Sequence, residues 1–163
     1  MEIRSEPAPS YTATHAEIRD DAIVAQALAI IERRFTRQTE TLSNPATVRE
    51  FLILRLCEHE REVFGVIYLD TRHRVIAVED LFFGAIDGAA VYPREVVKSA
   101  MRHNAAATII FHNHPSGVAE PSAADELLTG RLKSALALVD VRLLDHIVVG
   151  GATTVSLAER GMV

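Results

Sequence analysis

Apolar positions along the chain recur first at helical spacing and then in short strand-like runs, and the two textures alternate to the end. From Ala16 to about Arg37, the residues Ile23, Ala27, Ile30, Ile31 and Phe35 fall mostly three and four apart, which predicts an amphipathic helix. "SNPATVREFLILRLCEHE" opens a second helix, with Ser43 or Asn44 as cap, Pro45 in its first turn, and Val48, Phe51, Leu52 and Leu56 as its buried stripe. Two runs rich in β-branched and aromatic residues follow, Glu62–Asp70 and Arg74–Gly84. The short "TRH" between them predicts adjacent antiparallel strands. "PREVVKSAMRHNA" is a helix with Pro93 near its start, and His103 and Asn104 suit the exposed carbonyls at its end. "ATIIFH" is apolar without alternation, as in a strand at a sheet centre covered on both faces. After an "HPSG" turn, "PSAADELLTGRLKSALALV" is a helix with Leu128, Leu132, Ala135 and Val139 on one side, and "VRLLDHIVVGG" and "TTVSLAE" close the chain as strands. Gly84 and Gly88 bracket "AID" and suit turns. The order ααββαβαββ predicts one α/β sandwich over residues 44–163, preceded by a tail and helical extension over residues 1–43.

Composition narrows the function classes. At 163 residues, 48% apolar and 24% charged, the chain is long enough for one sizeable core. No apolar run approaches the ~18 residues of a membrane span. The N-terminus "MEIRSEPAPSYTATH" has no apolar leader, so the expected compartment is the cytoplasm. Cys57 is the single cysteine, which excludes an internal disulfide and a thiolate metal cluster; in "LILRLCEHE" it is expected as a small buried apolar residue. The net charge of −5 and scattered arginines do not favour nucleic acid, whose binding draws on clustered Lys and Arg.

The chemistry concentrates in "IIFHNHPSGVAEPSAADE", Ile109 to Glu126. At a strand end, residues two apart project to one side, so His112 and His114 face a common point while Asn113 faces away. Pro115 and Gly117 turn the chain. Ser122 suits an N-cap, which places Asp125 in the first helical turn with its side chain directed back towards the histidines. Singly these pieces are ordinary, since strand ends often carry histidines and Ser-x-x-Asp is a common capping box. Together, two imidazoles and a carboxylate make a three-ligand set whose fourth position is left to water, the pattern of a catalytic zinc.

That conjunction resembles a known family. "HNHPSGVAEPSAAD" matches the JAMM/MPN+ metallopeptidase motif His-x-His-Pro-x6-Ser-x2-Asp at every fixed position. The flanking "EVFGVIYLD", "VYPREVVKSAM", "HNAAATIIFHNHPSG", "RLLDHIVVG" and "SLAERG" are similar to its RadC-like branch, over about Asn44 to the C-terminus. The resemblance implies an MPN/JAB-type, cytidine-deaminase-like three-layer sandwich with a mixed central sheet. It also implies a zinc ion held by His112, His114 and Asp125, with Ser122 stabilising the oxyanion of a tetrahedral intermediate. An upstream glutamate would activate the water. "CEHEREVFG" offers Glu58, Glu60 and Glu62; Glu62 fits the family spacing, and Glu60 shares its strand face.

Three functions follow as expectations. The first is a zinc hydrolase acting on a peptide or isopeptide bond, with a peptide or protein as substrate. The second is a nuclease or DNA-repair accessory, suggested by the letters HNH and the RadC label. HNH nucleases, however, draw those residues from separate parts of a ββα-metal unit. Full-length RadC proteins also resemble helix-hairpin-helix DNA binders at their N-terminus, whereas the first glycine here is Gly65. The chain therefore resembles the short RadC-like form of bacterial mobile elements. The third is a non-catalytic MPN scaffold, which usually lacks a ligand that this chain keeps. Two histidines and a carboxylate also suit other divalent metals. The apolar face of the first helix covers either the domain's own sheet or, in a homodimer, a twin subunit. His146, inside an apolar strand beside Asp145, reads as a satisfied core histidine.

Overall fold

The structure, a computed structural model, describes residues 15–35, 45–57, 59–84 and 90–163. The N-terminal lead-in, the expected cap at Ser43 or Asn44, the candidate Glu58 and the turn at Gly88 lie outside them. The elements run α1 (His15–Phe35), α2 (Pro45–Leu56), β1 (Val63–Leu69), β2 (Val75–Phe83), α3 (Pro93–Arg102), β3 (Ala107–Asn113), α4 (Ala123–Ala137), β4 (Arg142–Gly150) and β5 (Thr153–Ser156). This is the order that the periodicity predicts.

The strands form one mixed sheet in the order β2-β1-β3-β4-β5. β1 pairs antiparallel with β2 and β3, β3 pairs parallel with β4, and β5 returns antiparallel to β4. A parallel pair needs a crossover connection, which α4 supplies between β3 and β4. The tight β1–β2 connection is held by Asp70, whose Oδ1 accepts from the backbone N–H of Arg72 (2.8 Å) and Arg74 (2.9 Å).

β1 and β3 lie inside the sheet, and all seven residues of each are buried, as their unbroken apolar runs require. The pleat divides β1 between two cores. Val63, Ile67 and Leu69 meet Val48, Phe51, Leu52 and Leu56 of α2 on one face. Phe64, Val66 and Tyr68 meet Val96 and Ala100 of α3 and Leu132 and Leu136 of α4 on the other. Each buried Val, Leu, Ile or Phe among them contributes about 1.5–3 kcal/mol by leaving water. The result is the expected three-layer α/β sandwich, with α1 packed on α2 outside it.

Two local expectations, at Cys57 and Ile23, are corrected. Cys57 is exposed, because it follows the last turn of α2 and Leu56 takes the buried position. As expected, Leu132 of α4 is buried with Leu128, and Val139 just beyond the helix, packed against the same core; Leu136 and Thr129 are buried there too. The buried face is turned towards Thr129, which makes two short hydrogen bonds there. In α1, Ile23 is exposed, while Ala27, Ile30 and Ile31 are half-buried as expected, together with Val24 and Leu28.

Candidate metal centre

The start of β1, the end of β3 and the N-terminus of α4 converge at one end of the sheet. His112 is the next-to-last residue of β3, paired with Phe64 on one side and Val148 on the other. His114 follows the strand but continues its ladder, since its N–H donates to Val149 O at 2.8 Å. The chain then turns through Gly117, at φ 80°, and the Val118 carbonyl accepts from His114 Nδ1 at 2.8 Å. That loop lies against the end of β4, where a Cβ on Gly150 would stand 2.3 Å from Ala119 N and 2.6 Å from Val118 C. Glycine at 150 is what lets the loop reach its place.

Ser122 caps α4 through a complete capping box. Asp125 N–H donates to the Ser122 hydroxyl oxygen at 3.2 Å, and Asp125 Oδ2 accepts from Ser122 N–H at 2.7 Å. The Ser122 hydroxyl also donates to Oδ2 at 2.7 Å. The ordinary capping reading and the ligand reading of these two residues are thus compatible, because the cap aims the carboxylate at the histidines.

The three candidate ligands meet. His112 Nε2 and His114 Nε2 are 2.9 Å apart; Asp125 Oδ1 is 3.4 Å from the first and Oδ2 is 3.6 Å from the second. A tetrahedral zinc with bonds of about 2.0–2.1 Å sets its donor atoms roughly 3.3 Å from one another. The donor set, two imidazole nitrogens and one carboxylate, fits such an ion in both chemistry and spacing. Burial pushes His112 down to about 4, so the ring is neutral at pH 7, as a ligand must be. Burial alone would raise Asp125, but the Ser122 hydroxyl and the two histidines outweigh it and hold the carboxyl below its usual value.

Behind the ligands lies a second, fully buried set. His112 Nδ1 is 2.8 Å from His146 Nε2, His146 Nδ1 is 2.6 Å from Thr129 Oγ1, and the Thr129 hydroxyl donates to Asp125 O at 2.6 Å. Burial pushes His146 down to about 3. His146 is thus the satisfied core histidine the apolar strand suggested, and the group it satisfies is a candidate metal ligand. Thr129 went unread in the sequence; its signal is a polar residue four positions after Asp125 on the inward side of α4.

Glu62 precedes β1 and lines a cleft of about 450 Å³ together with His112, His114, Ser122 and Asp125. Phe64, Val91 and Leu128 give the same cleft apolar walls, and Arg131 stands at it as a cation. Glu60 is exposed and is not among the residues lining the cleft. Asn113 faces away from the site, and its amide clamps the backbone on both sides of Glu62. Its Oδ1 accepts from Val63 N–H at 2.7 Å, and its Nδ2 donates to Arg61 O at 3.1 Å. Gly84 N–H donates to Glu62 O at 2.8 Å. The middle letter of "HNH" therefore fixes the β1 approach. Asp145 lies on the far side of this arrangement, accepting from Ser156 Oγ and from Ala158 and His146 N–H.

Comparison with known proteins agrees with this architecture. The model of the RadC-like JAB domain matches residues 42–162. A "UPF0758 protein" of Halorhodospira halophila is 59% identical over 148 residues, covering 87% of this chain and 66% of its own. Another from Nitrosococcus oceani is 59% identical over 126 residues, covering 77% and 56%, and one from Marinobacter nauticus is 54% identical over 151 residues, covering 93% and 66%. The chain spans about three fifths of the length of the curated relatives it matches. No helix among the described residues is long and apolar enough to cross a membrane.

Proposed function

The chain belongs to the RadC-like JAB domain family, and from that premise we propose that it is a zinc-dependent hydrolase of the JAMM type, cleaving a peptide or isopeptide bond. One observation carries the reading: two imidazoles and a carboxylate converge beside Glu62 in a cleft reached from solvent. Bound zinc supplies an activated water, lowering its pKa to about 7, and polarises a carbonyl. Glu62, which lines the same cleft, would serve as the general base towards an attacking water and then as the general acid towards the leaving amine. The Asn113 clamp holds the Glu62 backbone while this happens. Ser122, whose hydroxyl donates to Asp125 Oδ2 at 2.7 Å, would serve the developing oxyanion once that hydroxyl turns away. Phe64, Val91 and Leu128 receive apolar parts of a peptide or protein substrate beside the scissile bond. A single cysteine, left as a free thiol, suits the reducing cytoplasm as the compartment.

The test uses a fluorogenic peptide library and branched isopeptide substrates, with zinc content measured on the same samples. Zinc-loaded protein cleaves a member of the set, chelation stops it, and Glu62→Gln keeps its zinc while losing about 10²–10⁴ in kcat. Turnover that survives chelation, or that Glu62→Gln leaves intact, contradicts the mechanism. Full zinc loading with no cleavage of either class would favour the non-catalytic scaffold.

A further inference from the structure

The hydrogen bonds behind the metal ligands have only one self-consistent direction. Thr129 has one hydroxyl proton, and at 2.6 Å from the Asp125 carbonyl, which can only accept, that proton is committed. What Thr129 offers His146 Nδ1, 2.6 Å away, is therefore a lone pair, so Nδ1 carries hydrogen. His146 is fully buried, and its two ring partners are Thr129 and His112, neither an anion. An imidazole whose one ring hydrogen sits on Nδ1 has a bare Nε2. That bare nitrogen, 2.8 Å from His112 Nδ1, must accept, which puts hydrogen on His112 Nδ1 and leaves His112 Nε2 as a lone pair facing His114 and Asp125. His114 reaches the same state by a shorter route, since its Nδ1 donates to Val118 O.

We propose that Thr129 and His146 are positioning residues of the metal centre, forming a one-way hydrogen-bond relay that locks His112 in the tautomer able to bind a cation. The inference rests on the reading of His112, His114 and Asp125 as metal ligands. The relay begins on the backbone of one ligand, Asp125, and ends on the ring of another, so it ties α4, β4 and β3 into a closed loop around the ion. Reversing any link would turn His112 Nε2–H into the site, where it repels a cation. Ligating histidines whose outer nitrogen is fixed in this way typically lose about 10–100-fold in metal affinity when the partner is removed.

Two substitutions at one position separate this from a packing role. Thr129→Val keeps the shape and removes the hydroxyl; Thr129→Ser keeps the hydroxyl and removes the methyl. Zinc affinity is read by competition with a chromophoric chelator, and tautomers by long-range ¹H–¹⁵N correlation of the imidazoles in metal-free protein. Wild type should show hydrogen on Nδ1 of both His112 and His146. Thr129→Val should mix or reverse the His112 tautomer and weaken zinc about 10–100-fold. Thr129→Ser should preserve both. The proposal is overturned if Thr129→Val leaves tautomer and affinity unchanged, or if Thr129→Ser loses as much as Thr129→Val. If Thr129→Val does not fold, the wild-type spectrum decides alone, and hydrogen on His112 Nε2 there overturns the relay. Wild type that refuses zinc yet shows the expected tautomers would sink the metal reading and leave the relay standing.

Discussion

At the scale of single residues, the division of labour within "HNH" follows from strand geometry. His112 and His114 project to the cleft, and Asn113, buried at 4% exposure, projects to the opposite face and grips the backbone around Glu62. Asn113→Ala leaves the Val63 N–H without its acceptor and should cost about 1–3 kcal/mol of stability. It should also lower kcat by up to about 10²-fold, through misplacement of Glu62, while zinc content stays unchanged. Denaturant titration, turnover and elemental analysis of one preparation check this; loss of zinc in parallel with turnover would place Asn113 in the wrong role. The histidines carry a pH prediction for metal-free protein. An ordinary histidine titrates near 6.5, while burial pushes His112 down to about 4 and His146 down to about 3. Between pH 6.5 and 4 the unfolded chain therefore takes up protons that the folded chain refuses. Stability is full above 6.5 and falls as pH drops, by at most about 1.4 kcal/mol per pH unit for each proton. Chemical denaturation in the presence of chelator at pH 7.5, 6.5 and 5.5 should show the fall beginning well above the carboxylate range. A flat profile would contradict the neutral, buried assignment.

At the scale of elements, the site exists because β3 ends where α4 begins and a short loop joins them without straying. Gly150 is the hinge of that economy, since any side chain there meets the Val118–Ala119 backbone. Gly150→Ala should cost about 1–3 kcal/mol through overpacking. By pulling the Val118 carbonyl off His114 it should also weaken zinc about tenfold or more. Chelator competition alongside thermal unfolding measures both, and unaffected zinc affinity would detach the loop from the site. The same locality explains what could be read in advance. The ligand set sits within fourteen consecutive residues, His112 to Asp125, so strand-end geometry and helix capping suffice to assemble it. The unbroken apolar runs of β1 and β3 likewise mark them as interior strands. What stayed hidden depends on packing between distant segments: Asn113 against Val63, fifty residues away, and Thr129 against His146, seventeen away across the α4–β4 contact. Periodicity said that His146 points inward but not which group it would meet. The exposure of Ile23 in α1 has the same origin, because a spacing pattern is satisfied by neighbouring faces and tertiary contacts choose between them.

At the scale of the molecule, the sandwich is a rigid frame with its chemistry confined to one end of the sheet. The two cores on either side of β1 and β3 are built mainly of apolar side chains, and the buried polar side chains at the site end, His112, Asn113, Thr129 and His146, are all hydrogen-bonded. A frame of this kind needs no metal to fold, but an ion bound only by the folded state adds stability by mass action, about 2.7 kcal/mol at a hundredfold excess over Kd. The most direct measurement is zinc content by elemental analysis of protein purified without chelator, wild type beside His114→Ala. The account predicts about one zinc per chain in wild type, the stoichiometry of a single three-ligand site, and its loss in the variant with the fold retained. Folded wild type that holds no zinc, even when zinc is offered, would contradict it.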